Sequence, residues 1–307
     1  DLRLFAEQAG TATLLVVQDG RVVFSYGDIK RPLKAHSIRK SLISALYGTC
    51  QGALNLDTTL AQLGIDDFGC LTLQEKGATI RDLLMARSGV FLPGAYENPA
   101  FDRFRPKRGT YSPGAHWNYQ NWDFNVAGLI LELITGDNLF HFFRDQISDP
   151  IGMRDYDIQD MRWRYDQRSW HPAYLFRIST RDLARFGLLF LRGGRWKDDQ
   201  IIPATWVYES TRWHSQVRKP DGTLLPGSGY GYMWWVGDST LPRKLSDQLY
   251  AAVGTGEQFL GVLPKLRTVF VHRTDTDLPP EEFNPVDHSD IMTMLKMVVD
   301  AYDSDRK

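Results

Sequence analysis

Two β-rich runs, ATLLVVQ (12–18) and RVVFSY (21–26), lie near the start of the chain and meet at Asp19-Gly20. Both turn residues accept positive φ cheaply, so the pair predicts a type I′ hairpin. Ahead of it, LRLFAEQA reads as a short helix. From Ser37 the period changes. Ile38, Leu42, Ala45 and Thr49 fall at i, i+4, i+7 and i+11 with Leu46 beside them, which predicts a helix stopped by Gly48 or Gly52. TIRDLLMA (79–86) is a second short amphipathic piece, ended by Ser88-Gly89. Pro93 to Gly114 has no clear period and is rich in Pro, Gly, Arg and aromatics. Loops of that length in compact proteins tend to line functional sites.

Asp123 to Ile134 carries Phe124, Ala127, Leu131 and Ile134 on one stripe, with Gly136 just past the end, and reads as a helix. Ser179 to Leu191 reads as another: Ser179 or Thr180 caps it, Asp182 suits its positive end, and Gly193-Gly194 stops it. Strand-like composition then returns at YGYMWWV (230–236), QFLGVL (258–263) and LRTVFVH (266–272), the last two joined as a hairpin by Pro264-Lys265. A helix over 290–302 closes the chain. There is no internal repeat and no low-complexity segment.

The order is strands, a mostly helical middle, then strands and a helix. The simplest packing makes the strand-rich ends one antiparallel sheet flanked by helices, an α/β (α+β) fold with a mostly helical inserted domain. The expected boundaries are 1–36 with 175–307 for the sheet part and 37–174 for the insertion. A site is expected in the cleft between them.

Composition narrows the function classes. The 307 residues are 43% hydrophobic, enough for a sizeable core in one large domain or two interleaved ones. With 36 basic and 37 acidic residues, interspersed along the chain, no bulk attraction to nucleic acid or anionic membrane is expected. No apolar run approaches the ~20 residues that span a bilayer, so the chain reads as soluble and globular. Cys50 and Cys70 cannot build a disulfide framework and are expected to be buried thiols. No signal peptide is visible, yet the chain begins at Asp1 without methionine; its start is expected to be processed or trimmed, and compartment stays open. A Gly-x-Ser-x-Gly elbow, a His-Glu-x-x-His or Cys/His metal cluster, a Walker loop and a dinucleotide glycine pattern are all missing from the sequence, and no cofactor is expected.

The chemistry-bearing candidate is Ser37 with Lys40. Ser-x-x-Lys is a weak signal alone, and a second match, Ser304-Lys307, lies in a charged tail and carries no meaning. Serine at a helix start is ordinarily a cap. Here, however, i and i+3 share one helix face, so the amine can reach the hydroxyl. The helix N-terminus favours an oxyanion, and burial of the amine would lower its pKa until it accepts a proton. A further proton carrier is needed, and Tyr-x-Asn occurs twice, as Tyr96-Glu97-Asn98 and Tyr119-Gln120-Asn121. The second immediately precedes the helix at Asp123, a rigid support. Its plain reading is an anchoring aromatic with Asn121 as the helix cap.

In order along the chain stand HSIRKS (36–41), RDLLMARSGV (81–90), SPGAHWNYQN (112–121), DPIGM (149–153), STRDLARFGLLFLRGG (179–194) and YGYMWW (230–235). This series resembles the serine β-lactamase and penicillin-binding protein superfamily, in its branch of class C β-lactamase-like hydrolases and esterases, nylon-oligomer hydrolases among them. The resemblance implies a β-lactamase/transpeptidase-like fold, Ser37 as acylated nucleophile and Lys40 as its proton acceptor. It also implies Tyr119 as proton shuttle and Asn121 as a contact to substrate or Lys40. Tyr119 would need its pKa lowered by a nearby cation, with Lys40 the obvious one.

The third motif departs from the family. No Lys-Thr-Gly exists; the matching segment is VGTGEQ (253–258), in which Gly254 stands for the lysine or, shifted by one residue, Thr255 stands where relatives carry Lys or His, so that the resemblance places Thr255, Gly256 and Glu257 at the substrate and oxyanion wall without a cation. Backbone N–H groups there can still hold an oxyanion. Recognition of a penicillin-like carboxylate loses its usual partner, and no compensating arginine can be placed from sequence. Trp117, Trp122, Trp234 and Trp235 divide between core packing and the wall of an apolar pocket, and His36 is expected to pack or cap. The leading expectation is a hydrolase of small esters or amides acting through an acyl-enzyme. A β-lactamase or D-amino-acid peptidase is the alternative, and a β-lactam-binding sensor or inactive scaffold a third reading. Oligomeric state is not legible.

Overall fold

The computed structural model describes residues 1–304 apart from 53, 220, 242, 247–248 and 280. Strands β1 (Thr13–Gln18), β2 (Arg21–Tyr26), β3 (Ser215–Arg218), β4 (Leu224–Tyr230), β5 (Trp235–Val236), β6 (Tyr250–Gly254), β7 (Gln258–Leu263) and β8 (Thr268–Arg273) form one sheet. Its spatial order is β2-β1-β8-β7-β6-β5-β4-β3, antiparallel throughout. The two ends of the chain meet where β1 pairs with β8, Thr13 opposite Arg273 and Gln18 opposite Thr268. Asp19 and Gly20 adopt φ of 51° and 78°, the turn their residue types predict.

The principal helices are α1 (Leu2–Gln8), α2 (Ile38–Thr49), α3 (Ile80–Leu84), α4 (Asn121–Thr135), α5 (Thr180–Leu191), α6 (Ala204–Thr211) and α7 (His288–Ser304). One sheet face packs Leu14, Val16, Phe259 and Phe270 against Ile291 and Leu295 of α7. On the other face α5 lies across β1, β7 and β8. The larger core runs from Leu15 and Val17 of β1 through Leu42 and Leu46 of α2 to Phe124 and Leu131 of α4. Helix α2 is buried on every side from Ile38 to Gly48, unlike an amphipathic surface helix. Its buried hydroxyls find backbone acceptors: Ser41 and Ser44 donate to the Met233 and Tyr232 carbonyls at 2.6 and 2.7 Å, and the Tyr47 hydroxyl donates to Ala127 O at 2.7 Å.

Several expectations need correction. Residues 230–236 are not one strand but a tight reversal, with Gly231 N–H donating to Trp234 O at 2.8 Å and Met233 at φ 63°. Only glycine fits at 231, because a Cβ there would lie 2.1 Å from Ser210 O. Strands β3, β4 and β6 are not among the strands the sequence predicts; in β4 Pro226 and Gly227 interrupt any alternation, and the β3–β4 register shifts between Leu224 and Gly229. A short 3₁₀ turn, Pro99–Phe104, sits inside the expected 93–114 loop. The cysteines are free and are not both buried: Cys50 is half-buried and Cys70 exposed, its loop turning outward through Phe68 and Gly69 at positive φ. Among the described residues no single helix is long and apolar enough to cross a membrane.

Candidate active site

Ser37 stands at the N-cap position of α2, yet its side chain caps nothing; it adopts helical φ −75° and ψ −9°. Its hydroxyl instead faces Lys40, one turn on, with Oγ 2.9 Å from Nζ. Nζ also lies 2.6 Å from the Tyr119 phenolic oxygen. The amine is enclosed by the rings of Tyr119 and Phe124, at 4.2 and 4.7 Å from their centroids, and the side chain is 1% exposed. Burial, reinforced by the Arg39 charge and opposed by Glu97, holds the Lys40 pKa well below an ordinary lysine's. A neutral amine keeps a lone pair for the Ser37 proton.

Tyr119 behaves differently from expectation. Burial pushes its phenol up to about 12, against smaller lowering effects from Ser37 and Arg39. Both shifts favour the uncharged forms, an amine at Lys40 and a phenol at Tyr119. Tyr119 is delivered by the arm leading into α4, tied down by Asn118 N–H to Ala86 O at 2.9 Å and by the Gln120 amide, which donates to the Val90 carbonyl and to Asp123 Oδ1. Asp123, buried beneath this arm, has its carboxyl raised to about 7 by burial and accepts from Ser88 Oγ at 2.6 Å.

Asn121 neither caps α4 nor hydrogen-bonds Lys40 among the described residues. Its Nδ2 donates to the Tyr96 and Ala95 carbonyls at 2.5 and 3.4 Å, while its own backbone N–H is taken by Glu97 Oε1 at 3.0 Å. The cap comes from the loop, not from the helix sequence. His36, at φ 47°, hydrogen-bonds Thr276 Oγ1 and the Tyr96 hydroxyl at 2.8 and 3.0 Å, and burial, then nearby cations, lower its pKa to about 4.

Opposite Ser37 runs the end of β6. Gly254 is pressed so close that a Cβ would meet Ala35 O at 2.8 Å and the Ser37 nitrogen at 3.1 Å. Thr255, Gly256 and Glu257 form the turn into β7, with Gly256 and Glu257 at φ 75° and 54°. Strand β5 pairs with β6 only as far as Ala251, so this edge of β6 opens onto the cleft. The cleft has a volume of about 620 Å³ and is lined by Ser37, Tyr119, Trp117, Trp235, Val253 and Thr255, among others. Gly256 and Asn121 are outside that lining; Glu257 is within it, its carboxylate 3.3 Å from His288 Nδ1. The tryptophans divide evenly: Trp122 and Trp234 are core, Trp117 and Trp235 wall.

Beneath the cluster sits Arg39, which sequence reasoning passed over. Its guanidinium is buried over the Tyr174 ring at 4.4 Å, makes one bond to Asn125 Oδ1 at 3.3 Å, and leaves Nε and Nη1 without partners. A buried cation with no carboxylate is costly. Arg39→Met is expected to hold or raise thermal stability, by about 1 kcal/mol or more in the favourable case. It should also move the acid limb of activity to higher pH, since a positive neighbour of Lys40 disappears. A pH–rate profile beside a melting curve checks both.

An antiparallel sheet, a helical region and a cleft holding a serine and a buried lysine between them make a β-lactamase/transpeptidase-like hydrolase fold. The chain belongs to the β-lactamase family, whose model, Beta-lactamase, matches residues 3–289. A Bacillus anthracis protein described as a 6-aminohexanoate-dimer hydrolase superposes with TM-score 0.72 at 21% identity, over 99% of this chain and 82% of that one. A family VIII carboxylesterase gives 0.70 at 14%, over 96% of each chain. A β-lactamase from Mycobacterium bovis gives 0.69 at 19%, over 98% and 99%. These likenesses concern the fold. No curated protein matches by sequence.

Proposed function

We propose that this chain is a cofactor-independent serine hydrolase that cleaves small esters or amides through an acyl-enzyme on Ser37. The observation that carries the reading is the contact of one buried amine with two hydroxyls, Lys40 Nζ at 2.9 Å from Ser37 Oγ and 2.6 Å from the Tyr119 oxygen. Neutral Lys40 accepts the Ser37 proton as Oγ attacks the carbonyl carbon. The tetrahedral oxyanion is held by backbone N–H groups of Ser37 and the Thr255 segment, which the close approach at Gly254 brings to one side of the cleft. Tyr119, a neutral phenol, passes a proton to the departing alkoxide or amine and is reprotonated from Lys40. In the second half the same pair deprotonates water, which releases the acid and restores Ser37.

Aromatic walls and a third motif without lysine favour carboxylesters and linear amides over β-lactams. The family neighbours described as a carboxylesterase and an aminohexanoate-dimer hydrolase agree with that choice. Steady-state rates on p-nitrophenyl butyrate, a linear anilide and nitrocefin test it. The ester and anilide are expected to turn over and nitrocefin to lag, whereas fast nitrocefin cleavage with inert esters would reverse the assignment. Tyr119→Phe should cut kcat on the ester nearly as far as loss of the base, on the order of 10²–10⁴-fold, with KM little changed.

A further inference from the structure

The cleft carries an uneven charge. Two of its carboxylates are already matched: Glu97 is paired with Arg105, which also holds Asp102 at 2.7 Å, and Glu257 faces His288. Its hydrogen bonds to the Asp238 carboxylate and then to the Glu257 carboxylate raise the His288 pKa to about 10, which favours the cationic ring. Three basic lining residues have no such match. Lys107, on the loop after the 3₁₀ turn, and Arg218 and Lys219, at the β3–β4 hairpin, make no ion pair among the described residues. Arg218 uses Nη1 on its own hairpin, donating to Gly222 O at 3.0 Å. Asp221, also on the lining, is exposed, accepts from Thr223 N and Oγ1 at 2.9 and 2.6 Å, and feels the Lys219 charge only as a minor influence behind those bonds, without an ion-pair contact among the described residues. The field of Arg218 reaches into the cleft: it is the first charge, after burial itself, that lowers the pKa of lining His116.

The wall beside Ser37, where the family's third motif supplies a lysine, holds only Val253, Gly254, Thr255 and Glu257. The unspent positive charge lies instead on the Lys107 loop and the β3–β4 hairpin. One guanidinium and two ammonium groups on the lining of a single aromatic-walled cleft suit an anionic group at the end of an otherwise apolar substrate.

We propose that Arg218, Lys219 and Lys107 form an anion subsite, and that the enzyme selects esters or amides whose end remote from the scissile carbonyl carries a carboxylate. This rests on the serine-hydrolase reading of the cleft. The subsite adds nothing to the bond-breaking step; it raises kcat/KM by holding the remote end while Ser37 attacks.

The test compares matched neutral and anionic substrates in two arms. The acyl arm sets p-nitrophenyl hexanoate against mono-p-nitrophenyl adipate. The leaving-group arm sets phenyl butyrate against 4-carboxyphenyl butyrate. Each is run on the full chain, on Arg218→Gln/Lys219→Gln/Lys107→Gln and on Ser37→Ala, at low salt and at 0.5 M NaCl. The ratio of kcat/KM, anionic over neutral, is taken within each variant, so a general loss of activity cancels. The wild type is expected to favour the anionic partner by ~10-fold or more in at least one arm. The preference should shrink with salt and fall to near unity in the triple variant. A flat ratio in both arms, or a preference that survives the triple variant, overturns the subsite while leaving Ser37 in place. Hydrolysis of both substrate classes at wild-type rates by folded Ser37→Ala overturns the underlying reading as well.

Discussion

Ser37→Ala is expected to lower kcat on p-nitrophenyl butyrate by ~10³-fold or more, the scale on which enzymes respond to loss of their nucleophile. Stability should barely move. Serine at a helix start normally satisfies a backbone N–H, and losing such a cap costs about 0.5–2 kcal/mol. Ser37 makes no cap hydrogen bond, so nothing of that kind is lost. Its hydroxyl meets Lys40 Nζ at 2.9 Å, and removing an uncharged hydroxyl leaves no buried charge without a counter-ion. The expected result is a protein that melts within a few degrees of wild type and has almost no turnover. Full esterase activity in a folded Ser37→Ala protein would place the chemistry elsewhere.

Lys40→Met is expected to fall comparably, ~10³-fold in kcat, because the proton acceptor for Ser37 is gone while the side-chain volume is kept. The stability effect has the opposite character. Lys40 is 1% exposed and has a depressed pKa in the folded protein. Between that depressed value and the ordinary lysine value of about 10.4 the unfolded chain binds more protons at this position than the folded one. Stability of the wild type therefore gains from this group as pH rises through the window, and the cost of neutralising the amine is greatest at the acid end. Lys40→Met removes the proton exchange, so its stability–pH curve should be flatter there and should lie closest to or above wild type at the low-pH side. Urea unfolding at several pH values reads this directly. A Lys40→Met curve parallel to wild type would mean that the amine is charged in the folded protein and is not the base.

Local chemistry carried much of the fold into the sequence. Asp19-Gly20 announces its hairpin because two adjacent positive-φ residues have few other uses. The i, i+3 spacing of Ser37 and Lys40 fixes their meeting as soon as α2 forms, since both ride on one helical turn. Tyr119 was legible for a related reason, as the residue just ahead of a strongly periodic helix. What remained hidden depends on distant chain segments. Gly254 looked like a missing lysine; its use as the only residue that lets β6 touch the Ser37 backbone appears only once the sheet has formed. Asn121 looked like a cap because asparagine often is one, but it is the first residue of α4, and its own N–H is held by Glu97, 24 residues earlier. The Tyr119 pKa runs opposite to the direction its shuttle role asks for, because burial of the phenol outweighs the lowering from Ser37 and Arg39. Arg218 and Lys219 gave no motif at all. They enter the cleft on a hairpin whose strands lack alternation and whose register shifts.

The most direct measurement traps the covalent intermediate. Rapid acid quench of the enzyme with p-nitrophenyl butyrate, followed by proteolysis and peptide mass mapping, should find the butyryl group on the peptide containing Ser37, formed in the burst and missing from Ser37→Ala. Acylation confined to another residue, with Ser37 unmodified while turnover continues, would contradict the claim that a neutral buried amine turns this hydroxyl into the nucleophile.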